Sequence, residues 1–150
     1  MNIVLDSSVL VAAYISRHGA CAEVLEDILM RDHLVLSLPI LDEVVRILRG
    51  KFDFDLADVA AVKASLERSA EWVQPAVLPP EVILGTAVAA SASMLLTVDK
   101  DLLVLGRFRS TLIRKPGQYW SQRDFPSGVQ EEGGQYRVNI GEGQRTRNTG

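Results

Sequence analysis

Hydrophobic residues follow two patterns along this chain, and the two patterns alternate. Short runs rich in Val, Leu and Ile, with no regular polar alternation, are typical of strands buried on both faces of a parallel sheet. Segments with apolar residues three or four positions apart predict amphipathic helices. The predicted strands are residues 2–5, 33–37, 72–74, 94–98 and 111–113, and the predicted helices are residues 8–15, 20–31, 39–50, 55–69 and 81–91. This order predicts an α/β fold with three α/β/α layers around a central, mainly parallel sheet.

Two of the predicted strands lead directly into an aspartate. Residues 2–5 are followed by Asp6, and the apolar run 94–98 is followed by Asp99. Residues just beyond the carboxyl ends of parallel strands line the ligand crevice of such folds, so we expect these two carboxylates to lie close together. Each aspartate taken alone has a simpler interpretation, since either could cap the helix or turn that follows it.

A third candidate acid is Glu43, on the helix that follows the second strand. It is next to Val44, and hence near the border of the helix face that packs on the sheet. The alternative is an ordinary surface ion pair with Arg46, worth only ~0.3–0.5 kcal/mol. Carboxylates that converge without enough cations repel one another, and Mg²⁺ or Mn²⁺ is the natural counter-charge.

Composition narrows the setting of the protein. The chain of 150 residues, 47% apolar and 23% charged, is long enough to bury a real core. Its single cysteine, Cys21, cannot form an internal disulfide, and no segment approaches the ~20 apolar residues of a membrane span, so we expect a reduced, cytoplasmic setting. The periodic pattern fades near the end, which predicts a domain over residues 1–121 and a flexible, disordered tail over residues 122–150.

The net charge of −3 at first disfavours a nucleic-acid partner. The basic residues are clustered, however. Arg46, Arg49 and Lys51 form one group, and five more lie between residues 100 and 115. Either group could bind phosphates, while solvated charge at helix ends and loops explains each residue equally well.

Four segments, taken in order, resemble the successive blocks of a PIN domain. They are residues 4–11 (VLDSSVLV), 36–44 (LSLPILDEV), 83–92 (ILGTAVAASA) and 96–103 (LTVDKDLL). The resemblance extends over roughly residues 2–120. Its ending, residues 112–116 (LIRKP), is similar to the branch that contains toxins of bacterial and archaeal toxin–antitoxin systems.

The resemblance implies an endoribonuclease that uses Mg²⁺ or Mn²⁺ to hydrolyse phosphodiester bonds of single-stranded or structured RNA. It also implies a toxin, with a protein antitoxin as partner and a homodimer as a possible assembly. Carried over by position, the catalytic residues are Asp6, Glu43 and Asp99. The implied metal ligands are these same three residues together with Glu81 and Asp101, and the implied substrate-binding residues are Ser7, Ser8, Thr97 and Lys100.

The sequence departs from the family pattern at Pro79-Pro80-Glu81. The family usually has an aspartate there, opening the helix that precedes the fourth strand. Glu81 either replaces that aspartate as a metal ligand or merely complements the helix dipole, which is worth ~0.3–1 kcal/mol. The second interpretation leaves a catalytically weakened PIN module that binds RNA or a protein without cleavage. A third hypothesis, a phosphatase with Asp6 as nucleophile, is disfavoured because a serine, Ser8, stands where that chemistry commonly needs a second acid.

Overall fold

The computed structural model of the chain describes residues 1–78 and 81–124. The strands are β1 (Asn2–Leu5), β2 (His33–Leu36), β3 (Glu71–Trp72), β4 (Met94–Leu96), β5 (Arg107–Phe108) and β6 (Thr111–Arg114). The α-helices are α1 (Ser7–Ile15), α2 (Ala20–Arg31), α3 (Leu38–Phe52), α4 (Leu56–Ser69), α5 (Val82–Ala89), α6 (Lys100–Leu103) and α7 (Tyr119–Asp124). A 3₁₀ turn spans Pro116–Gln118.

The strands form one sheet in the order β3-β2-β1-β4-β6-β5. Every neighbouring pair is parallel except β5 and β6. Ile3 of β1 is in register with Leu34 on one side and Met94 on the other, so β1 is a central strand. The predicted α/β fold with three layers and a mainly parallel sheet is confirmed.

The centre of the sheet has the two-sided burial that the apolar runs predict. The side chains of Val4 and Leu5 in β1, and of Leu95 and Leu96 in β4, are fully buried. Full burial of such a side chain stabilises the fold by about 1.5–3 kcal/mol. A strand with both faces covered can hold its carboxyl end rigidly, and both carboxyl ends here point toward the candidate site.

Helix α3 positions the third candidate acid. Its buried stripe is Ile40, Leu41, Val44 and Leu48, at the spacing of one helical face. The hydroxyl of Thr86 on α5 donates to the carbonyl of Val82 at 2.8 Å, and the buried hydroxyl of Ser37, just before α3, lies 2.8 Å from Thr86 Oγ. Because Thr86 has a single hydroxyl proton, Ser37 is the donor in that contact. This buried chain of hydrogen bonds fixes the start of α3 against α5.

Several short elements were not predicted from the sequence. The strand β5 has only two residues and pairs antiparallel with β6, while α6 is a single turn. Two and four residues are too few to show a period of two or 3.6. The tight connection depends on backbone geometry instead, since Gly106 and Arg109 on either side of β5 have φ of 69° and 54°.

The chain divides into one compact unit of residues 1–119 and a second of residues 120–150. Helix α7 begins at Tyr119 and runs past the predicted domain boundary at residue 121. The predicted tail lies outside the described residues from position 125 onward and stays a prediction. Among the described residues, no helix combines the length and apolar character needed to cross a membrane.

Candidate active site

An open cleft of about 820 Å³ lies beyond the carboxyl ends of β1 and β4 and is bordered by α3 and α5. Its acidic lining residues are Asp6, Asp42, Glu43 and Asp99. Its other polar lining residues are Ser7, Ser8 and Arg46, and its apolar lining residues are Pro39, Ile40, Ile47, Val82, Ile83, Val98 and Leu102. The structure therefore brings together the three carboxylates that were predicted to be catalytic, from three segments far apart in sequence.

Asp6 is the most firmly held of these acids. Its backbone N–H continues the sheet by donating to the carbonyl of Leu96 at 3.0 Å. Its Oδ1 accepts from the N–H of Ser7 at 2.8 Å, which caps α1, and its Oδ2 accepts from the hydroxyl of Thr97 at 2.7 Å. Capping and cleft lining were alternative interpretations of Asp6, and in the structure the same carboxylate does both.

Burial raises the pKa of Asp6 above the 3.8 of an exposed aspartate. The hydrogen bonds from Thr97 and Ser7 favour the charged form and lower the pKa, while the negative charges of Glu43 and Asp99 raise it. These last two effects mean that the three carboxylates are near enough to interact electrostatically. A desolvated anion beside two like charges favours the binding of a cation.

Asp99 is tied to Asp6 through Thr97. The N–H of Asp99 donates to Thr97 Oγ at 3.0 Å, and Asp99 Oδ1 accepts from the N–H of Asp101 at 2.9 Å, which caps α6. Thr97 is fully buried, so its hydroxyl serves the two aspartates and does not reach the cleft surface. The predicted substrate-binding role of Thr97 is not favoured by this burial, and a positioning role suits its contacts better.

Glu43 approaches the cleft from α3 and is much more exposed than Asp6. Its Oε2 lies 3.6 Å from a guanidinium nitrogen of Arg46, and the two side chains are 47% and 72% exposed. The ion pair considered from the sequence is therefore present, and so is the cleft position. Because a single exposed ion pair is weak, the Glu43 side chain is free to turn toward Asp6 and Asp99.

The two serines after β1 both line the cleft. Ser7 is buried, and Ser8 Oγ is buried without a hydrogen-bond partner among the described residues. A buried hydroxyl without a partner costs about 1–3 kcal/mol, which a ligand that accepts its proton would recover. The substrate-binding role of Ser7 and Ser8 stays a prediction.

Three other predicted site residues lie outside the cleft lining. Glu81 is exposed at the start of α5 and makes no capping hydrogen bond, and Pro79 and Pro80 before it lie outside the described residues. Lys100 and Asp101 are exposed on α6. The metal-ligand role of Glu81 and Asp101 and the substrate-binding role of Lys100 therefore stay predictions without support from the cleft.

The sequence analysis missed Asp42 as a cleft residue, along with the apolar walls. Asp42 precedes Glu43 on α3, so the acidic pair Asp42-Glu43 was the available signal. Val82 and Val98 are 42% and 54% exposed at the mouth of the cleft. Because an apolar residue in an apolar run is normally buried, no local signal distinguishes these two valines from core residues.

The donor atoms around the cleft have the chemistry that a hard divalent cation needs. Carboxylate oxygens are the preferred ligands of Mg²⁺ and Mn²⁺. Each oxygen of Asp6 accepts one hydrogen bond and keeps a second lone-pair direction free. In residues 1–78 and 81–124, no three His, Cys, Asp or Glu side chains already form a metal site as they stand. The donor set fits such an ion, but at least one side chain, most simply Glu43, must move to complete it.

A parallel α/β sheet with carboxylates beyond the ends of its central strands defines a class, the α/β proteins that bind their ligand at the carboxyl edge of the sheet. The family model described as the PIN domain matches residues 2–101. The chain belongs to the PIN domain family. A comparison with curated proteins gave no match. PIN domains are generally nucleases that act on RNA, and they typically use divalent metal ions.

Proposed function

We propose that this protein is a Mg²⁺- or Mn²⁺-dependent endoribonuclease whose reacting groups are Asp6, Glu43 and Asp99. The observation that carries the proposal is their shared cleft, in which Glu43 and Asp99 both raise the pKa of the buried Asp6. Family membership supports the nuclease class, and the carboxylate donors support the choice of cation.

The residues have distinct roles in the proposed reaction. Asp6 and Asp99 would hold the ion, since Thr97 fixes both of them at the sheet edge. When bound, a divalent ion supplies charge neutralisation at the phosphoryl oxygens and a more acidic water. Glu43 is exposed and mobile enough to accept the proton of the attacking water at a carboxylate oxygen and release it to solvent.

The experiment is cleavage of a mixed-sequence single-stranded RNA by the purified protein with Mg²⁺ or Mn²⁺. We expect Asp6→Asn and Asp99→Asn to reduce the rate by about a hundredfold or more, with circular dichroism unchanged. Asp53→Asn is the matched control, because Asp53 is exposed at the end of α3 with φ of 54°, a conformation that asparagine tolerates. Absence of cleavage together with absence of Mn²⁺ binding by calorimetry would refute the enzymatic proposal.

We also propose that the protein is the toxin of a toxin–antitoxin pair, with a protein antitoxin covering the cleft. The resemblance of residues 112–116 and the combination of acidic and apolar lining residues support this role. The test is expression in a bacterial host. Growth arrest by the wild-type chain but not by Asp99→Asn, relieved by the product of a neighbouring gene, is the expected result. Normal growth at the same expression level of both proteins contradicts it.

A second candidate function is a PIN module that binds RNA or a protein without cutting. It is favoured by two specific observations, the exposure of Glu81 away from the cleft lining and the need for a side chain to move before three ligands converge. Binding of RNA by the wild-type chain with no cleavage in either metal is the result that distinguishes this function from the first.

A further inference from the structure

Arg46 is the one cationic side chain among the residues that line the cleft in the described part of the chain. Four carboxylates line the same cleft, so even with a bound dication the surroundings of an entering phosphate carry at most a small positive charge. An RNA backbone adds one negative charge per phosphate. A binding site for it needs a cation that can face the phosphate directly, and Arg46 is placed to be that cation.

The guanidinium of Arg46 is held only loosely. Its recorded partner is Glu43 Oε2 at 3.6 Å, beyond ordinary hydrogen-bond distance, and its side chain is 72% exposed. An exposed pair of this spacing on a helix is worth ~0.3–0.5 kcal/mol. The cost of separating the two side chains is therefore small compared with a charge-assisted bond to phosphate.

A change of partner follows from the roles proposed for Glu43. When Glu43 turns toward Asp6 and Asp99, Arg46 loses its anion and faces the cleft unpaired. Guanidinium groups bind phosphate through two parallel N–H···O bonds, which ammonium groups cannot form. A phosphate entering the cleft would replace Glu43 as the anionic partner of Arg46.

We propose that Arg46 binds a backbone phosphate of the RNA beside the bond that is cut, exchanging its ion pair with Glu43 for that contact. The inference rests on the proposed function, because it takes RNA as the ligand. It makes Arg46 a substrate-binding residue that also sets the position of the chain relative to Asp6 and Asp99.

The matched control is Arg49, one turn further along α3. Arg49 is also exposed and cationic, but it is not among the cleft lining residues. Arg46→Met and Arg49→Met therefore make the same charge change on the same helix and differ only in facing the cleft. Arg46→Lys keeps the charge and removes the paired N–H geometry.

The experiment measures binding of a short fluorescein-labelled single-stranded RNA by anisotropy across a salt series. All variants are made in the Asp99→Asn background, where we expect no cleavage. We expect Arg46→Met to weaken binding about tenfold at low salt and to reduce the slope of log Kd against log salt by about 0.7, the contribution of one phosphate contact. Arg49→Met should leave the slope unchanged, and Arg46→Lys should restore the slope but only part of the affinity.

Equal effects of Arg46→Met and Arg49→Met, or an unchanged salt slope in Arg46→Met, would overturn the inference. The slope separates phosphate contact from a purely structural role, since loss of the Glu43 ion pair alone does not alter the number of ions released by RNA. Cleavage is measured separately with Asp99 intact. Slope loss without cleavage supports the Arg46 contact while refuting the nuclease, and cleavage without slope loss does the reverse.

Discussion

The hydroxyl of Thr97 donates a 2.7 Å hydrogen bond to Oδ2 of Asp6, across 91 positions of sequence. Thr97 Oγ also accepts from the N–H of Asp99 at 3.0 Å. A single buried hydroxyl thus couples the carboxyl ends of β1 and β4 and fixes the two aspartates relative to each other. This relationship leads to the first prediction.

Thr97→Val preserves the shape of the side chain and removes both hydrogen bonds. We expect the free energy of unfolding to fall by about 1–3 kcal/mol, because the half-buried carboxylate of Asp6 and the N–H of Asp99 lose their partner. Cleavage, if present, should fall with it as the aspartates lose their fixed spacing. Urea denaturation measures the stability, and Thr97→Ser, which keeps the hydroxyl, is the control. Equal stability of Thr97→Val and wild type contradicts the prediction.

Asp6→Asn should stabilise the metal-free protein at neutral pH. Burial raises the pKa of Asp6 in the folded state above 3.8, so the folded state holds this proton more tightly than the unfolded state. Stability from this group is therefore highest at low pH and falls as pH rises through the folded pKa. The asparagine variant lacks that cost.

We expect the stability difference between Asp6→Asn and wild type to shrink as pH falls and to disappear below 3.8, the value of an exposed aspartate. Urea midpoints in EDTA across that pH range provide the measurement. Asp53→Asn, an exposed aspartate outside the cleft, should show no comparable trend with pH. A variant less stable than wild type at neutral pH would show that the hydrogen bonds of Asp6 outweigh its burial.

Glu81→Gln should leave the cleavage rate close to that of wild type. Glu81 is exposed at the start of α5 and does not line the cleft, so its charge is screened by solvent from the reacting groups. Glu43→Gln makes the same chemical change inside the cleft and should reduce the rate by about 10²–10⁴-fold through loss of the proton acceptor. The measurement is the single-turnover rate in Mn²⁺. Equal losses in the two variants would restore Glu81 as a metal ligand.

Gly85→Ala should destabilise the protein, whereas Gly50→Ala should not. A Cβ at Gly85 would lie 2.7 Å from the carbonyl oxygen of Ala76, and that backbone is held by a 2.9 Å hydrogen bond from the N–H of Ala76 to the carbonyl of Gly85. Relieving this overlap costs about 1–3 kcal/mol. A Cβ at Gly50, in α3, meets nothing within 4 Å, and alanine there should add about 0.5–1 kcal/mol through helix propensity.

Thermal unfolding of the two glycine variants is the measurement, with the melting temperature moving down for Gly85→Ala and up for Gly50→Ala. A melting temperature for Gly85→Ala equal to that of wild type would mean that the segment at Ala76 moves freely away from α5. That segment leads into residues 79–81, so its packing bears directly on where Glu81 is held.

The sequence by itself determined the elements with a strong local signal. The apolar runs of β1 and β4 specify strands because side chains with no polar alternation are stable only when both faces are covered. The helical stripes of α2 and α3 specify which face of each helix is buried. The strand-end positions of Asp6 and Asp99, and the acidic residue Glu43, followed from the same patterns together with the family resemblance.

Only the tertiary structure decided which side chains share the cleft. Pairing of β1 with β4 brings Asp6 and Thr97 into contact, and no local periodicity encodes a contact between residues so far apart. The exclusion of Glu81 from the cleft lining, and the inclusion of Arg46, depend on the orientation of α5 and α3 on the sheet. Local patterns specify which face of an element is buried, whereas a site is assembled from the exposed ends of several elements, whose relative placement is set by packing across the whole core.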